Sequence, residues 1–413
     1  MHITIGRLWL AAFVPVLAVT APAATWSNIA IYPVPTSQSD PVGIVAGPDG
    51  ALWFTESLGN KIGSITTGGA IAEYPVPTAD SAVQGIAAGP GGALWFTESS
   101  ADNIGRITTT GVVTEYPVPT AFSQPYGIAA GPDGALWFTE LFGNNIGRIT
   151  TAGAITEYPE PTADSGLYGI TAGPDGALWF VESFGGKIGR ITTAGAITEY
   201  PIPTAGSEPF AIAWGPDGAL WFTDLANYIG RITTGGLITE YPIPTAGSQP
   251  YGITSGSDGA LWFTEYQHGK IGRITTAGLI TEYPAPTANS YPWGITKGPD
   301  GALWFTESAG NNMARAPACG LGLSASFANG TVTLNFTLGT STPATWFGNL
   351  LTSTGGERQL WFKSIPAVAP PDSFTVTLGP GFPNLGDVTI VSGLETAPGE
   401  GLCYETAGVD SAQ

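Results

Sequence analysis

Residues Ala135–Glu140 read Ala-Leu-Trp-Phe-Thr-Glu, and this motif occurs seven times along the chain with at most one substitution in each copy. Its tryptophan falls at Trp53, Trp95, Trp137, Trp179, Trp221, Trp262 and Trp304. Five of the intervals between these tryptophans are 42 residues and one is 41. A period of this length, built from short strands, is typical of β-propeller blades. The sequence therefore predicts an all-β protein whose main body is a seven-bladed β-propeller.

Each repeat contains four β-like runs, which is the number of strands in a propeller blade. In the third repeat these runs are Tyr126–Ala130, Ala135–Glu140, Asn145–Thr150 and Ala154–Tyr158. The first two are separated by Gly-Pro-Asp-Gly, a tight-turn sequence in which Pro fixes φ and Gly accepts a positive φ. The runs do not alternate between apolar and polar residues, as expected for a blade whose two faces are both covered by neighbouring blades.

The fourth run ends in Tyr-Pro-x-Pro-Thr, and the positions of this motif predict how the ring closes. Its first copy, at Tyr32, precedes the first tryptophan motif, and no copy follows Trp304. We therefore expect a strand near Ile29–Val34 to complete the last blade. Such closure leaves no open sheet edge between the first and last repeats.

An acidic residue ends the second run of every repeat, and an arginine occupies the third run of every repeat except the first, which has Ser64. The acidic residues are Glu56, Glu98, Glu140, Glu182, Asp224, Glu265 and Glu307. A group repeated in every blade is more often structural than catalytic. We expect these acidic residues and arginines to form ion pairs within or between blades.

The chain termini predict an exported protein with a second, smaller domain. Residues 1–24 resemble a secretory signal, with Arg7 before a short apolar run and small residues at 21–23 for cleavage. Residues 25–316 form the predicted propeller. Residues 317–413 carry alternating runs that predict a small immunoglobulin-like β-sandwich, for which a spacer or adhesion role is expected. Cys319 and Cys403 lie in this segment and are predicted to form a disulfide in an oxidising compartment.

The overall charge limits the classes of partner. The chain has 13 basic and 32 acidic residues, a formal net charge of −19. This charge disfavours nucleic acid and anionic membrane surfaces and favours neutral or cationic ligands. We expect a soluble monomer that is secreted or periplasmic.

One position of the repeat is a candidate ligand-binding rim. The residue just before the Gly-Ile of each inner strand should lie at the channel mouth, where propellers usually bind ligands. Across the repeats it is Val42, Gln84, Tyr126, Tyr168, Phe210, Tyr251 and Trp293. The five consecutive aromatic residues, Tyr126 to Trp293, could stack on a saccharide, a peptide or another small molecule. The alternative is that the rings only plug the channel mouth.

Signatures of catalysis and of metal binding are sparse. Once the signal is removed, His268 is the only histidine, in the loop Tyr266–Lys270 of the sixth repeat. It is a candidate base, although a single loop histidine is more often a solvated surface residue. The sequence has no paired-cysteine zinc pattern, no phosphate-binding loop and no EF-hand spacing, so we predict no resident metal or cofactor.

The repeat motifs Gly-Pro-Asp-Gly, Leu-Trp-Phe-Thr-Glu, Lys-Ile-Gly-Arg-Ile-Thr and Ile-Thr-Glu-Tyr-Pro-x-Pro-Thr resemble those of the streptogramin lyases, the virginiamycin B lyase family, over about residues 25–316. The resemblance implies a seven-bladed propeller and a magnesium-assisted elimination that opens the ester bond of a cyclic depsipeptide. It also implies catalytic histidines at rim positions of the late blades, which correspond here to Phe210, Tyr251 and Trp293. None of these three side chains can accept a proton.

The implied metal-associated glutamates fall on Tyr291 and Ser308 in the last repeat. Glu208 stands two residues before Phe210 but has no partner histidine. General acid-base groups typically contribute about 10² to 10⁴-fold each to a rate, so their loss predicts little remaining lyase activity.

Three functions remain open. The first is an exported, non-catalytic protein that binds a ligand at the aromatic rim. The second is an active carbon-oxygen lyase that uses Mg²⁺ and relocated groups, with His268 and either Glu208 or Glu265 as candidates. The third is a structural surface or matrix protein, which the near-uniform repeats would suit.

Overall fold

The computed structural model describes residues 29–316 and seven strands that follow them, within 321–328, 331–338, 344–352, 357–365, 372–378, 388–397 and 400–409. Within these residues the secondary structure consists of strands and turns, with no α-helix. Residues 30–316 form seven four-stranded antiparallel sheets, so the prediction of an all-β, seven-bladed propeller is confirmed. No helix that could cross a membrane is found in the described part of the chain. The predicted signal, residues 1–24, lies outside it.

The blades are numbered in chain order, and the strands of each blade are numbered from the channel outwards. The first strands are Pro41–Ala46, Val83–Ala88, Pro125–Ala130, Leu167–Ala172, Pro209–Trp214, Pro250–Ser255 and Pro292–Lys297. The second strands are Leu52–Glu56, Ala93–Glu98, Leu136–Glu140, Ala177–Glu182, Leu220–Asp224, Leu261–Glu265 and Leu303–Glu307. The third strands are Lys61–Ile65, Asn103–Thr108, Asn145–Ile149, Lys187–Thr192, Tyr228–Ile232, Lys270–Ile274 and Asn312–Ala316. The fourth strands are Ile71–Pro75, Val113–Pro117, Ile155–Pro159, Ile197–Pro201, Ile238–Pro242, Ile280–Pro284 and, for blade 7, Ala30–Pro33.

The amino-terminal strand closes the ring, as the motif positions predict. Ala30–Pro33 pairs antiparallel with the third strand of blade 7, with Ala30 opposite Arg315 and Pro33 opposite Asn312. The side-chain amide of Asn311 also donates to the Val34 carbonyl oxygen at 3.1 Å. Blade 7 is therefore built from both ends of the propeller segment.

The apolar core lies between adjacent blades rather than inside any one of them. Seven clusters of buried side chains fill the seven seams of the ring. Between blades 1 and 2, Trp53 and Ile62 pack against Leu94 and Phe96. Burying a large apolar side chain of this kind stabilises the fold by roughly 1.5 to 3 kcal/mol. Because every seam repeats this packing, the ring is stabilised almost uniformly around its circumference.

The expected ion pairs between the second-strand acidic residues and the third-strand arginines are wrong. The antiparallel register places Arg148 opposite Trp137 and Glu140 opposite Asn145, so the glutamate and the arginine lie towards opposite ends of the strand pair. Arg148 instead pairs with Asp133 of the Gly-Pro-Asp-Gly turn, at 2.7 Å from Nε to Oδ2. The pKa of the Asp133 carboxyl is lowered: burial acts to raise it, and the hydrogen bonds from Trp137 and Arg148 outweigh burial.

The same arrangement of turn aspartate, tryptophan and arginine recurs in the last five blades. The pairs are Asp133–Arg148, Asp175–Arg190, Asp217–Arg231, Asp258–Arg273 and Asp300–Arg315. Blade 1 has Ser64 in place of the arginine, and blade 2 has Gly91 in place of the aspartate. In blade 2 the buried Trp95 Nε1 accordingly has no hydrogen-bond partner.

In every blade except blade 4, a second-strand threonine links the blade to the next one close to the channel. The Thr139 hydroxyl accepts from the Gly127 N–H at 2.9 Å and donates to the Tyr168 carbonyl oxygen of blade 4 at 2.6 Å. Thr306 makes the equivalent bond to the Val42 carbonyl oxygen and so extends the link across the closure. Blade 4 has Val181 at this position and cannot make the bond to Phe210. These bonds hold the backbone of the rim residues in place.

After residue 320 the described strands form two antiparallel sheets. One sheet has three strands, Leu321–Ala328, Thr331–Leu338 and Asp372–Leu378. The other has four, Glu357–Ile365, Ala344–Thr352, Val388–Ala397 and Glu400–Val409. Cys403 lies on the last strand, and Cys319 lies outside the described residues, so the disulfide stays a prediction.

Candidate aromatic site at the channel mouth

The five aromatic residues predicted at the rim contact one another in sequence order. Ring centroids are 4.8 Å apart for Tyr126 and Tyr168, 4.9 Å for Tyr168 and Phe210, 4.4 Å for Phe210 and Tyr251, and 4.5 Å for Tyr251 and Trp293. Each residue is the second of its first strand, so the repeat itself brings the rings around the channel mouth. We call these five residues the aromatic rim.

The aromatic rim combines buried and accessible rings. Phe210 is only 9% exposed and contacts Tyr126 and Trp293 across the rim, each at 6.0 Å between centroids. The other four aromatic residues are half-buried. Tilted and edge-on ring pairs at such distances contribute about 0.5 to 1.5 kcal/mol each beyond burial. The rings therefore support one another, and part of their surface stays open to solvent.

Two further tyrosines, Tyr266 and Tyr291, extend this surface. The Tyr266 ring lies 4.7 Å from that of Tyr251 and 4.9 Å from that of Tyr291. Tyr266 follows the tryptophan motif of blade 6, where the other blades have serine or leucine. Tyr291 lies two residues before Trp293, where the other blades have smaller or acyclic residues. Both tyrosines were missed by the repeat pattern, and their departure from it is the sequence signal that could have identified them.

A cavity of about 390 Å³ adjoins these tyrosines where blades 6, 7 and 1 meet. It is lined by Gln38, Asp40, Leu58, Tyr266, Tyr291, Ser308, Ala309 and Asn311. The lining combines a carboxyl group, two side-chain amides, three hydroxyls and two aromatic faces. An open cavity of this size with a few polar groups is typical of sites for small ligands.

Burial raises the pKa of several groups around the cavity. The pKa of the Asp40 carboxyl is raised by burial, which a hydrogen bond with Ser308 partly offsets. The pKa of the Tyr266 hydroxyl is raised by burial and by the neighbouring Asp40. Burial also raises the pKa of the Tyr126 hydroxyl well above its usual range. At neutral pH the tyrosines are therefore neutral hydrogen-bonding groups beside one acidic side chain.

The three candidate catalytic residues do not form a catalytic set. His268 is exposed, and within residues 29–316 no hydrogen bond or ion pair joins it to Glu208, to Glu265 or to any other residue. Glu208 is also exposed, and its backbone N–H donates to Asp224 Oδ1 at 2.9 Å. Glu265 is fully buried at the end of its strand, and desolvation together with Glu282 raises its pKa to about 9. A general base needs a partner that orients it, and His268 has none here.

The cavity does not fit a magnesium site of the kind that the family resemblance implies. Tyr291 and Ser308 stand at the positions expected for metal-associated glutamates, and Asp40 is the one carboxyl group in the lining. Mg²⁺ in proteins is usually held by one or two carboxylates together with substrate oxygens and water in near-ideal octahedral geometry. Asp40 supplies one carboxyl group, the lower limit for this ion, and burial raises its pKa and so disfavours the ionised form that Mg²⁺ requires.

Comparison with known proteins agrees with the repeat motifs. The profile of the virginiamycin B lyase family matches residues 23–163 and 144–323. A streptogramin B lyase structure is 44% identical and aligns over 70% of this chain and 96% of its own, with a TM-score of 0.67. Selenomethionine-substituted virginiamycin B lyase from Staphylococcus aureus is also 44% identical, over 70% of this chain and 98% of its own, with the same TM-score.

A catalytically inactive variant of the Staphylococcus aureus lyase, crystallised with quinupristin, is 42% identical over the same 70% of this chain and 98% of its own, again with a TM-score of 0.67. A likeness at 17% identity to Kuenenia stuttgartiensis hydrazine synthase, with a TM-score of 0.59, reflects the fold alone. The two segments that match the profile together span residues 23–323, which is well over half of the chain. The chain therefore belongs to the virginiamycin B lyase family.

Proposed function

We propose that this protein is an exported, non-catalytic member of its family that binds a small ligand at the channel mouth. The observation that carries the proposal is the aromatic rim. Three of its five residues, Phe210, Tyr251 and Trp293, occupy the positions at which the family resemblance implies catalytic histidines, and the rim adjoins a cavity of about 390 Å³. Chemistry that needs a positioned base is replaced by a surface suited to stacking and hydrogen bonding.

The chemistry of the surface indicates the ligand class. Aromatic faces with adjacent hydroxyl and amide groups suit a saccharide or a peptide that carries a ring, because such ligands present both apolar faces and hydrogen-bonding groups. The net charge of −19 and the Asp40 carboxyl favour a neutral or cationic ligand. We propose that the protein acts as a monomer, without nucleic acid or membrane as a partner.

The test is a thermal-stability screen of the purified full-length protein against oligosaccharides, cyclic and linear peptides, and a type B streptogramin. We expect at least one compound to raise the Tm of the wild type and to lose this effect in Tyr251→Ala and in Trp293→Ala. Phe142→Ala is the matched control, since Phe142 is 60% exposed in a blade 3 loop and should leave the shift unchanged. A screen without any rim-dependent compound would reject the binding role and favour a structural one.

The second candidate function is the family reaction, and the 44% identity to a streptogramin B lyase structure favours it. Incubation with a type B streptogramin and MgCl₂, followed by mass spectrometry, tests for the linearised product. We expect none above the level without protein. Product formed by the wild type and lost in His268→Ala would instead support a lyase with a relocated base.

We further propose that residues 1–24 direct export and are removed, and that residues 317–413 form an immunoglobulin-like sandwich that serves as a spacer. The secretion-like sequence and the two antiparallel sheets support these assignments. Mass spectrometry of the amino terminus of the protein, isolated from the periplasm or the medium, tests the first proposal. A mature form that still begins at Met1 would exclude cleavage.

A further inference from the structure

The same kind of polar cluster occurs in blades 1, 4 and 6, each time at the seam with the preceding blade. In blade 6, Thr245 donates from its backbone and its hydroxyl to the Glu282 carboxylate, at 3.1 and 2.9 Å. Lys270 lies 3.4 Å from the same carboxylate, and Glu265 at the end of the second strand is buried close by. The neighbouring side chain from the preceding Tyr-Pro-x-Pro-Thr segment is the buried, apolar Ile243.

Blade 4 departs from this pattern at a single residue. The variable position of Tyr-Pro-x-Pro-Thr is Val34, Val76, Val118, Ile202, Ile243 or Ala285 elsewhere, and Glu160 at the seam between blades 3 and 4. Glu160 is only 5% exposed, much like the apolar residues that it replaces. A carboxyl group has therefore been introduced where the fold provides a buried apolar site.

Glu160 completes a group of three carboxyl groups. One oxygen each of Glu160, Glu182 and Glu199 lies within 4.8 Å of the other two. Within the described part of the chain, no other group of three or more acidic or metal-ligating side chains lies close enough to hold one ion. None of the three residues belongs to the aromatic rim or to the cavity beside it, so the group is separate from the proposed binding site.

Two of these carboxyl groups have no donor. Glu182 is 0% exposed, and neither its oxygens nor those of Glu160 accept a hydrogen bond from any described residue. Glu199 is paired, because the Thr162 hydroxyl donates to Oε1 at 2.6 Å and Lys187 Nζ lies 2.8 Å from Oε2. A buried carboxylate without a partner is costly, typically by several kcal/mol. The four unpaired oxygens of Glu160 and Glu182 therefore require either protons or a cation.

The local charge is unbalanced unless a proton or a cation is present. Among the described residues, Lys187 is the cation that acts on these carboxyl groups, so three ionised carboxylates would leave the cluster at about −2. Burial, a hydrogen bond with Glu199 and the negative charges of Glu182 and Glu199 raise the pKa of Glu160 to about 9. Burial and Glu199 raise the pKa of Glu182 to about 7.

We propose that Glu160, Glu182 and Glu199 bind a hard divalent cation of the size of Ca²⁺ at the seam between blades 3 and 4. Calcium takes six to eight oxygen ligands at about 2.3 to 2.6 Å, so oxygens on opposite sides of the ion lie up to about 5 Å apart. The spacing of at most 4.8 Å fits this ion. Magnesium needs a nearly ideal octahedron at about 2.0 to 2.1 Å and gives up its water reluctantly, so a buried cage of protein carboxylates suits it less than calcium. Lys187 remains beside Glu199 and orients its carboxylate.

The competing occupant is a proton shared between Glu160 and Glu199, which would also relieve the repulsion. A shared proton and a bound ion differ in one respect, because only the ion is removed by a chelator and restored by adding it back. Isothermal titration of chelator-treated, full-length protein with CaCl₂ at pH 7.5 separates the two. We expect one calcium ion per chain and a higher Tm in CaCl₂ than in chelator.

The Glu160→Val variant carries the test, since valine is the residue found at this position in the segments around Val34, Val76 and Val118, and the fold should tolerate it. We expect its calcium affinity to fall at least 100-fold and its Tm to become independent of CaCl₂. The matched control is Glu265→Gln in blade 6, which has the same glutamate pair and lysine but Ile243 in place of the third carboxyl group. It should bind calcium as the wild type does.

Two results would overturn the proposal. One is a wild-type protein whose heat and Tm do not respond to CaCl₂, which would assign a shared proton to the cluster. The other is a Glu160→Val variant that binds calcium as tightly as the wild type, which would place the ion elsewhere. Neither result depends on the ligand of the aromatic rim.

Discussion

Replacing Glu160 by valine should change the pH dependence of folding stability, and the structure gives the sign and the size of this change. In chelator, the folded protein holds a proton on Glu160 up to a pKa of about 9, whereas the unfolded chain releases it near the reference value of 4.5. Between these values the folded state binds more protons, so its stability falls as pH rises. Below about pH 4.5 both states are protonated and this penalty disappears.

The magnitude follows from one extra proton in the folded state. The free energy of unfolding changes by about 1.4 kcal/mol per pH unit for each such proton. Between pH 6 and pH 8 the wild type should therefore lose at most about 2.7 kcal/mol of stability relative to Glu160→Val. At roughly 2 to 4 °C per kcal/mol for a large domain, this corresponds to a Tm difference of about 5 to 10 °C. Other buried glutamates such as Glu56 and Glu98, with pKa values of about 7 and 8, are present in both proteins, so they largely cancel.

The assay is thermal unfolding of the wild type and Glu160→Val in chelator at pH 6, 7 and 8. We expect the advantage of the variant to grow with pH, on top of a constant gain from packing valine. Glu208→Gln serves as a control because Glu208 is exposed, and its difference from the wild type should stay flat. If the difference in Tm between the wild type and Glu160→Val stays constant from pH 6 to pH 8, Glu160 is not a buried, protonated acid.

Three further substitutions test the contacts that repeat around the ring, each by calorimetric unfolding. Asp133→Ala removes the acceptor shared by an indole and a guanidinium and should cost about 1 to 3 kcal/mol, whereas a loss below about 0.5 kcal/mol would make this contact unimportant. Gly91→Asp supplies the acceptor that Trp95 lacks, but Gly91 has a φ of +78°, where an L-residue costs about 1 to 2 kcal/mol, so Gly91→Asp should be less destabilising than Gly91→Ala by about 1 kcal/mol; equal losses would make the missing acceptor unimportant. Val181→Thr adds the missing hydroxyl bridge to the Phe210 carbonyl oxygen and should gain about 0.5 to 1.5 kcal/mol, and a destabilised variant would contradict this role.

The fold could be predicted because its determinants are local and repeated. The tryptophan period and the Tyr-Pro-x-Pro-Thr motif that precedes the first tryptophan together specified seven blades and the closing strand. The partner of Arg148 could not be predicted in the same way, because periodicity alone does not give the register of two strands. Only the pairing of Trp137 with Arg148 shows that the turn aspartate, and not the strand-end glutamate, is within reach.

The candidate site was predicted in part. A single repeat position supplied the aromatic rim, and the structure brings its rings into contact. Tyr266 and Tyr291 were missed because they lie in different loops, which only the curvature of the ring brings together. Glu160 breaks an otherwise apolar series and could have been noticed for that reason. The sequence does not show, however, that Glu182 and Glu199 lie beside it. In repeat proteins, the residues that break the pattern are therefore as informative as those that define it.

The strand Ala30–Pro33 also has a consequence for how the chain reaches its native state. Its partner, Asn312–Ala316, is made last among the propeller strands, so the first strand stays unpaired while the other blades are synthesised. Joining segments so distant in sequence is entropically unfavourable, which makes ring completion a late step. Until then the unpaired edges can accept a strand from a second molecule, and exchange of this strand is therefore the simplest route by which two rings would interlock.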